Sequence, residues 1–299
     1  MKLFTEVTCE KLTPLSRGER ICVLGSCFAD AIGEKLAAAG FDVLRNPFGT
    51  LYNPASVAAA VERLDSGRPF THDECVEMGA GAGLVCSFAH HTRFARPTAA
   101  EFLDAANAAL AADAAAWTGC RRVLVTLGTA WVWRAQERPG QPVVANCLKR
   151  PAREFAHELL GVDACAALLR ALVKDHPDKQ FLFTVSPIRH LGDGAHANTL
   201  SKATLQLAVQ QALAPEPDLP SCPAATGHLP RAEYFPAYEI LLDELRDYRF
   251  YADDLVHPAD TAVQLIWERF LDACTDPADR PAILAAERAS RAAAHRPLR

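Results

Sequence analysis

No apolar run in this sequence approaches the ~18 consecutive residues that a membrane-spanning helix needs. The Ala-rich stretch 102–117 is interrupted by Asp104, Asn107 and Asp113. An excess of positive charge is also missing: 31 Lys and Arg face 36 Asp and Glu in 299 residues, for a net charge of −5. That balance argues against the basic surface with which a nucleic-acid binder neutralises phosphates. The opening residues, MKLFTEVTCEKLTPL, hold no apolar core of the kind a secretory signal carries. Ten cysteines are present, yet none forms a CxxC pair or a zinc-finger rhythm. Cys22 in ICVLG and Cys165 in DACAALL sit in apolar runs, where cysteine behaves as a small hydrophobe. The expectation is a cytoplasmic protein with reduced thiols, no metal site and no cofactor. GAGAG at 79–83 neither follows a strand nor opens a helix, so it lacks the setting of a phosphate loop. His90-His91 lacks the spacing and partners of a metal site.

What is present reads as alternating strands and helices. The composition, half hydrophobic and 22% charged, is that of a globular chain, long enough to bury a full core. Buried strands are expected at 20–24, 41–44, 122–127 and 180–185, where apolar runs end in Gly or a small polar residue. Helices are expected over about 27–39, 54–64, 98–116, 159–175, 198–213, 237–246 and 260–273. Trp131 and Trp133 alternate with Val132, and Pro139-Gly140 marks a turn, so 131–145 reads as a hairpin returning Asn146 toward Gly128. The alternating tryptophans mark a sheet face rather than a sugar platform. The order predicts an α/β chain: a three-layer α/β/α sandwich on a mainly parallel sheet. One domain is expected over 1–275, with insertions near 66–97, 131–150 and 214–233, the last including a Pro-rich loop at 214–224. A helix or tail follows over 276–299, in which Arg288, Arg291, Arg296 and Arg299 read as a solvated face.

In such sheets the reactive edge lies at the carboxyl ends of the strands. That rule selects Gly25-Ser26-Cys27, Asn46 to Gly49, Gly128-Thr129 and Ser186 to His190. Ser26 follows a buried strand and opens a helix, a position that suits a nucleophile and equally a helix cap. Asp254 and His257, three apart in DDLVHP, allow the carboxylate to orient one ring nitrogen and leave the other as a base. Cys27 is a competing nucleophile, though packing or support suits it better. Arg189 and His190 sit where they could meet a polar part of a substrate, or Arg189 could pair with a local carboxylate. Residues 246–251 are read as bracing the His257 loop.

The motif Gly25-Ser26-Cys27-Phe28-Ala29 resembles that of a bacterial group, the GSCFA family. The likeness continues through Asn46-Pro47-Phe48-Gly49-Thr50-Leu51-Tyr52-Asn53-Pro54, Thr126 to Ala130, Thr184 to His190, Asn198 to Lys202, Tyr234 to Glu239 and Arg246 to Pro258. That family is in turn similar to the SGNH (GDSL-like) hydrolases, which implies a flavodoxin-like sheet and a serine esterase. The resemblance implies Ser26 as nucleophile, His257 as base and Asp254 as its orienting carboxylate. It implies an oxyanion hole from the Ser26 N–H, the Gly49 N–H and an asparagine side chain. No Asn follows Gly128, so Asn146 is the expected substitute and Thr129 the reserve. Asn46, Arg189, His190, Lys202 and Arg249 are expected to contact substrate or support the site. Asn146-Cys147-Leu148-Lys149 departs from the family's Asn-Cys-His-Lys, which removes any role for a histidine at 148. The expected substrate is a small-molecule or carbohydrate ester of a small acyl group, acetyl first. The alternatives are an O-acyltransferase with the same triad and a non-catalytic binding protein on this scaffold.

Overall fold

The computed structural model describes residues 5–214 and 231–294. Cys222, the loop 214–224 beyond its first residue, Arg296 and Arg299 lie outside the described residues.

The first strand, β1 (Arg20–Gly25), is followed by α1 (Cys27–Ala38), β2 (Asp42–Arg45) and α2 (Pro54–Ser66). A small hairpin, β3 (Val76–Glu77) and β4 (Val85–Cys86), precedes the long helix α3 (Ala99–Thr118) and the central strand β5 (Cys120–Leu127). Three strands then leave the main sheet: β6 (Trp131–Ala135), β7 (Val143–Val144) and β8 (Phe155–Leu159). The chain returns through α4 (Val162–Asp175), β9 (Gln180–Val185), α5 (Ala195–Leu213) and β10 (Ala232–Tyr234). A helical turn, α6 (Ala237–Glu239), runs into a π-helical stretch, Ile240–Leu245, before α7 (Asp260–Cys274) and α8 (Arg280–Ala294).

Among the described residues, five strands form one wholly parallel sheet in the order β10-β9-β5-β1-β2. Its three inner strands, β9, β5 and β1, are buried on both faces, so each contributes apolar residues in alternation to two cores. Cys22, Leu24, Val123, Val125, Phe181 and Phe183 face a core closed by helices including α2, α3, α4 and α5. Ile21, Val23, Leu124 and Leu182 face the opposite core, where Phe28, Ile32, Trp267 and Phe270 pack from α1 and α7. The result is the three-layer α/β/α architecture anticipated from the order of elements.

Local chemistry sets the helix starts. Asn53 accepts the Ser56 N–H at 2.8 Å, with Pro54 at the first helical position, and α2 ends at Gly67 in the left-handed conformation. Thr98 likewise caps α3 through the Glu101 N–H. Three departures from the expected elements have local causes. Residues 155–159 form β8, pairing antiparallel with β6, where a helix was expected to begin at 159. Their alternation of Phe155, His157 and Leu159 is a strand pattern. β10 adds a fifth parallel strand of only three residues, too short to leave a periodic signal. The helix expected over 237–246 is one α turn followed by the π-helix, which ends at Arg246 in the left-handed region.

Gly25 at the end of β1 has φ +136, and a Cβ there would lie 2.2 Å from the Thr126 carbonyl oxygen of β5. The close approach of these two backbones therefore needs glycine. Gly25→Ala is expected to cost on the order of 2–4 kcal/mol, read from the urea midpoint. A midpoint equal to that of the parent protein would contradict this packing.

Candidate active site at the carboxyl edge of the sheet

Ser26 is 1% exposed and stands between β1 and α1. Its hydroxyl accepts the Phe28 N–H at 3.3 Å, so it does cap the helix, as the simpler reading of its position predicts. Capping leaves the hydroxyl proton free, and the first helical N–H, that of Cys27, has no carbonyl partner within the helix. Cys27 Sγ sits 3.8 Å from the Tyr52 hydroxyl, which also receives the Thr50 hydroxyl at 3.3 Å.

Asp254 and His257 meet on the loop before α7. Asp254 Oδ2 lies 2.6 Å from His257 Nδ1, while Oδ1 accepts the backbone N–H of Val256 at 2.8 Å and of His257 at 2.9 Å. These backbone N–H bonds, with the imidazole, pull the carboxyl down to about 2, so it is ionised at any neutral pH. An ionised Oδ2 selects the tautomer with the proton on Nδ1 and leaves Nε2 as a base. The loop is built to hold this pair. Leu255 turns through the left-handed region at φ +56, Tyr251 bridges Pro258, and the Ala252 N–H donates to the His257 carbonyl at 2.8 Å. The Arg189 N–H reaches the Val256 carbonyl at 3.2 Å and joins the loop after β9 to this turn. Arg189 places its guanidinium 4.4 Å from the Tyr251 ring centre rather than on a carboxylate, which braces the same turn. Arg249 pairs with Asp247 at 2.8 Å on an exposed stretch.

Lys202 is fully buried on α5 and donates to the carbonyls of Gly128 and Ser186, each at 2.7 Å. Those are the first residues beyond β5 and β9, which the Ser186 N–H also ties at 2.8 Å to Leu127. Burial pulls the Lys202 ammonium down to about 7, and either protonation state retains the two donors this clamp requires. Asn46, also buried, is a second clamp. Its Oδ1 accepts the Gly25 N–H at 2.9 Å and its Nδ2 donates to Asp30 at 2.9 Å, holding the ends of β1, β2 and α1 together.

The two backbone oxyanion donors implied by the resemblance are engaged within the fold. The Ser26 N–H donates to the Thr126 carbonyl at 3.1 Å, because Gly25 lets β1 and β5 close together. The Gly49 N–H donates at 2.8 Å to the Asn46 carbonyl within its own turn. β6 and β7 do pair antiparallel as the expected hairpin, Trp133 opposite Val144. Beyond it the N–H groups of Ala145 and Asn146 both bind the Phe88 carbonyl, and the Asn146 Oδ1 accepts the Leu148 N–H at 2.8 Å. The Thr129 hydroxyl pairs with Ser201 Oγ at 2.8 Å and receives the Trp131 N–H, while its own N–H binds the Tyr52 carbonyl.

His190 has the opposite character. Asn198 Oδ1 holds its backbone N–H at 2.9 Å, and its ring meets Tyr52 edge-on at 5.3 Å. Its Nε2 is buried with no hydrogen-bond partner among the described residues. Burial, with Lys202 and His257 adding to it, pulls this imidazole down to about 4, so it is neutral near pH 7.

Trp131 and Trp133 flank His157 on one face of the small antiparallel sheet, Trp133 stacked at 3.8 Å, which is the sheet-face role expected of them. His90, buried among Phe48, Phe70, Phe94 and Phe102, binds Ser87 Oγ at 2.7 Å and is a core histidine. A cavity of about 290 Å³ lies between α2 and the β6–β7 hairpin, lined by Ser56, Arg63 and Arg138 among others, and Ser26, His190 and His257 take no part in it. Among the described residues no cluster of His, Cys, Asp and Glu is arranged to hold a metal ion, and no helix is long and apolar enough to cross a membrane.

The Lys202 clamp has a pH signature. Between about 7 and the ordinary lysine value of 10.5 the unfolded chain holds a proton that the folded protein has released. Stability attributable to Lys202 therefore rises with pH across that window and is flat below it. Lys202→Met is expected to be less stable throughout, because two buried carbonyls lose their donor, and to lose this rise. Urea midpoints of both proteins near neutral pH and again near pH 9 check it; parallel slopes would contradict it.

A comparison with curated proteins returned no match. The family model for the GSCFA family matches residues 20–270, a span running from β1 into α7 and containing every side chain of the site described above. The chain therefore belongs to the GSCFA family.

Proposed function

We propose that this protein is a serine esterase of the SGNH type that acts on a small acyl ester through an acyl-enzyme. The observation that carries the reading is the oriented Asp254–His257 pair, closed at 2.6 Å, on the same chain edge as a buried serine at a strand-to-helix turn. The Arg189 N–H on the Val256 carbonyl ties the loop of His190 to that of His257, and His190 and Ser26 both close on Gly128, which supports a shared site.

In this mechanism Ser26 Oγ attacks the ester carbonyl carbon and its proton passes to His257 Nε2. The Nδ1–H stays on Asp254, which stabilises the imidazolium. Collapse of the tetrahedral intermediate breaks the bond to the leaving oxygen, which takes the proton from His257. Water then attacks the acyl carbon, loses a proton to Nε2, and the acid departs as that proton returns to Ser26 Oγ. Ser26 Oγ accepts the Phe28 N–H, and the mechanism assigns its contact with His257 to the substrate complex, where such bonds commonly tighten.

Hydrolysis of p-nitrophenyl acetate by Ser26→Ala, His257→Ala and Cys27→Ala tests the reading. The first two are expected to lose at least about 10³-fold in kcat, and the third to stay within a few-fold of the parent. Activity that survives Ser26→Ala and dies with Cys27→Ala would replace the serine with the thiol. Because Asp254 is ionised down to about 2, the acid limb of kcat/KM is expected to follow a single proton, that of the base. A two-proton acid limb would contradict the assignment of Asp254 as a fixed anion.

A further inference from the structure

An acyl-enzyme route develops negative charge on the substrate's carbonyl oxygen, and a donor must meet it. The Ser26 N–H, Gly49 N–H and Thr129 groups are bound elsewhere, and the Asn146 backbone N–H is held by Phe88. Near Ser26 one buried side-chain nitrogen is unspent. Gly128 has no side chain, and the point where its Cβ would stand lies 3.1 Å from His190 Nε2 and 3.4 Å from Ser26 Cβ. His190 Nε2 and Ser26 thus close on the same point against the Gly128 backbone, and the Tyr52 carbonyl stands 3.2 Å from it. A buried nitrogen without a partner costs stability, and this one has no acceptor or donor opposite it among the described residues.

Resting on the serine reading above, we propose that His190 is a catalytic residue whose Nε2–H donates to the oxygen on which charge develops when Ser26 attacks. Three contacts fix the donor. Asn198 holds the His190 backbone, Tyr52 packs its ring edge-on, and Lys202 pins Gly128 opposite it. A neutral imidazole suits the role, because it donates without bringing a proton that would compete with the chemistry of His257. The two histidines thus divide the work: the exposed one, oriented by a carboxylate, moves the proton, and the buried one, with no carboxylate beside its ring nitrogens among the hydrogen bonds described, polarises the carbonyl.

The test compares His190→Leu and His190→Gln by p-nitrophenyl acetate kinetics, with melting temperature as a check on folding. His190→Leu is expected to lose about 10²–10³-fold in kcat with little change in KM, and His190→Gln, which keeps an N–H donor, to recover at least tenfold of it. Activity of His190→Leu within threefold of the parent overturns the proposal. So does equal loss in both variants while His257→Ala stays active, which would make His190 the base. A readout on the parent protein removes any dependence on variant folding. With ¹⁵N-histidine, a fluorophosphonate adduct on Ser26 is expected to shift the His190 Nε2–H resonance through a new hydrogen bond. An adduct on Ser26 with no such shift overturns the role of His190 while leaving the nucleophile intact. A parent protein that resists the probe at Ser26 overturns the nucleophile, and this proposal with it.

Discussion

The site depends on how closely β1 approaches β5 at their carboxyl ends. Gly25 permits contact with Thr126 that no other residue could make, and the Ser26 N–H is drawn onto the Thr126 carbonyl as a consequence. This single packing choice puts Ser26 at the sheet edge, buries it, and starts α1 on its hydroxyl. It also removes from use the backbone donor that the superfamily resemblance would have assigned to the oxyanion. The position of Ser26 and the engagement of its N–H are thus two results of one contact.

The remaining supports are buried polar clamps, each satisfied at both ends. Lys202 joins the residues following β5 and β9, and Asn46 joins the ends of β1, β2 and α1. Buried polar groups are costly unless paired, so both are better understood as fixing loop ends than as contacting a substrate. His190 is the exception that a fully structural account does not absorb, because its Nε2 is buried and unpaired beside Ser26. The Asp254–His257 pair differs again. It sits on an exposed turn, where its order comes from backbone hydrogen bonds and from the Arg189–Tyr251 brace rather than from burial.

Much of the fold was legible because parallel strands are continuous apolar runs with turn residues at their ends. RICVLG, RVLVTL and QFLFTV all announce themselves in that way. β10 did not, since three residues carry no period, and β8 was absorbed into an adjacent helical pattern. The Asp254–His257 contact was readable from a spacing of three in a loop. The hydrogen bond of Asn146 to Phe88 was not readable, because its partner lies more than fifty residues earlier in the chain. Lys202 did leave a signal: it lies on the stripe formed by Ser201, Leu205, Ala208 and Val209, which marks a buried lysine. The unpaired His190 Nε2 left none, because it depends on what the fold brings to that atom and not on any pattern along the chain.

In the proposed reaction an acyl group passes through Ser26. Rapid quenching during turnover of p-nitrophenyl acetate, followed by peptide fragmentation, reads this directly. One acetyl group is expected on Ser26, decaying as product acid appears. Acetyl on Cys27 in place of Ser26, or continued turnover with Ser26 never modified, would contradict it.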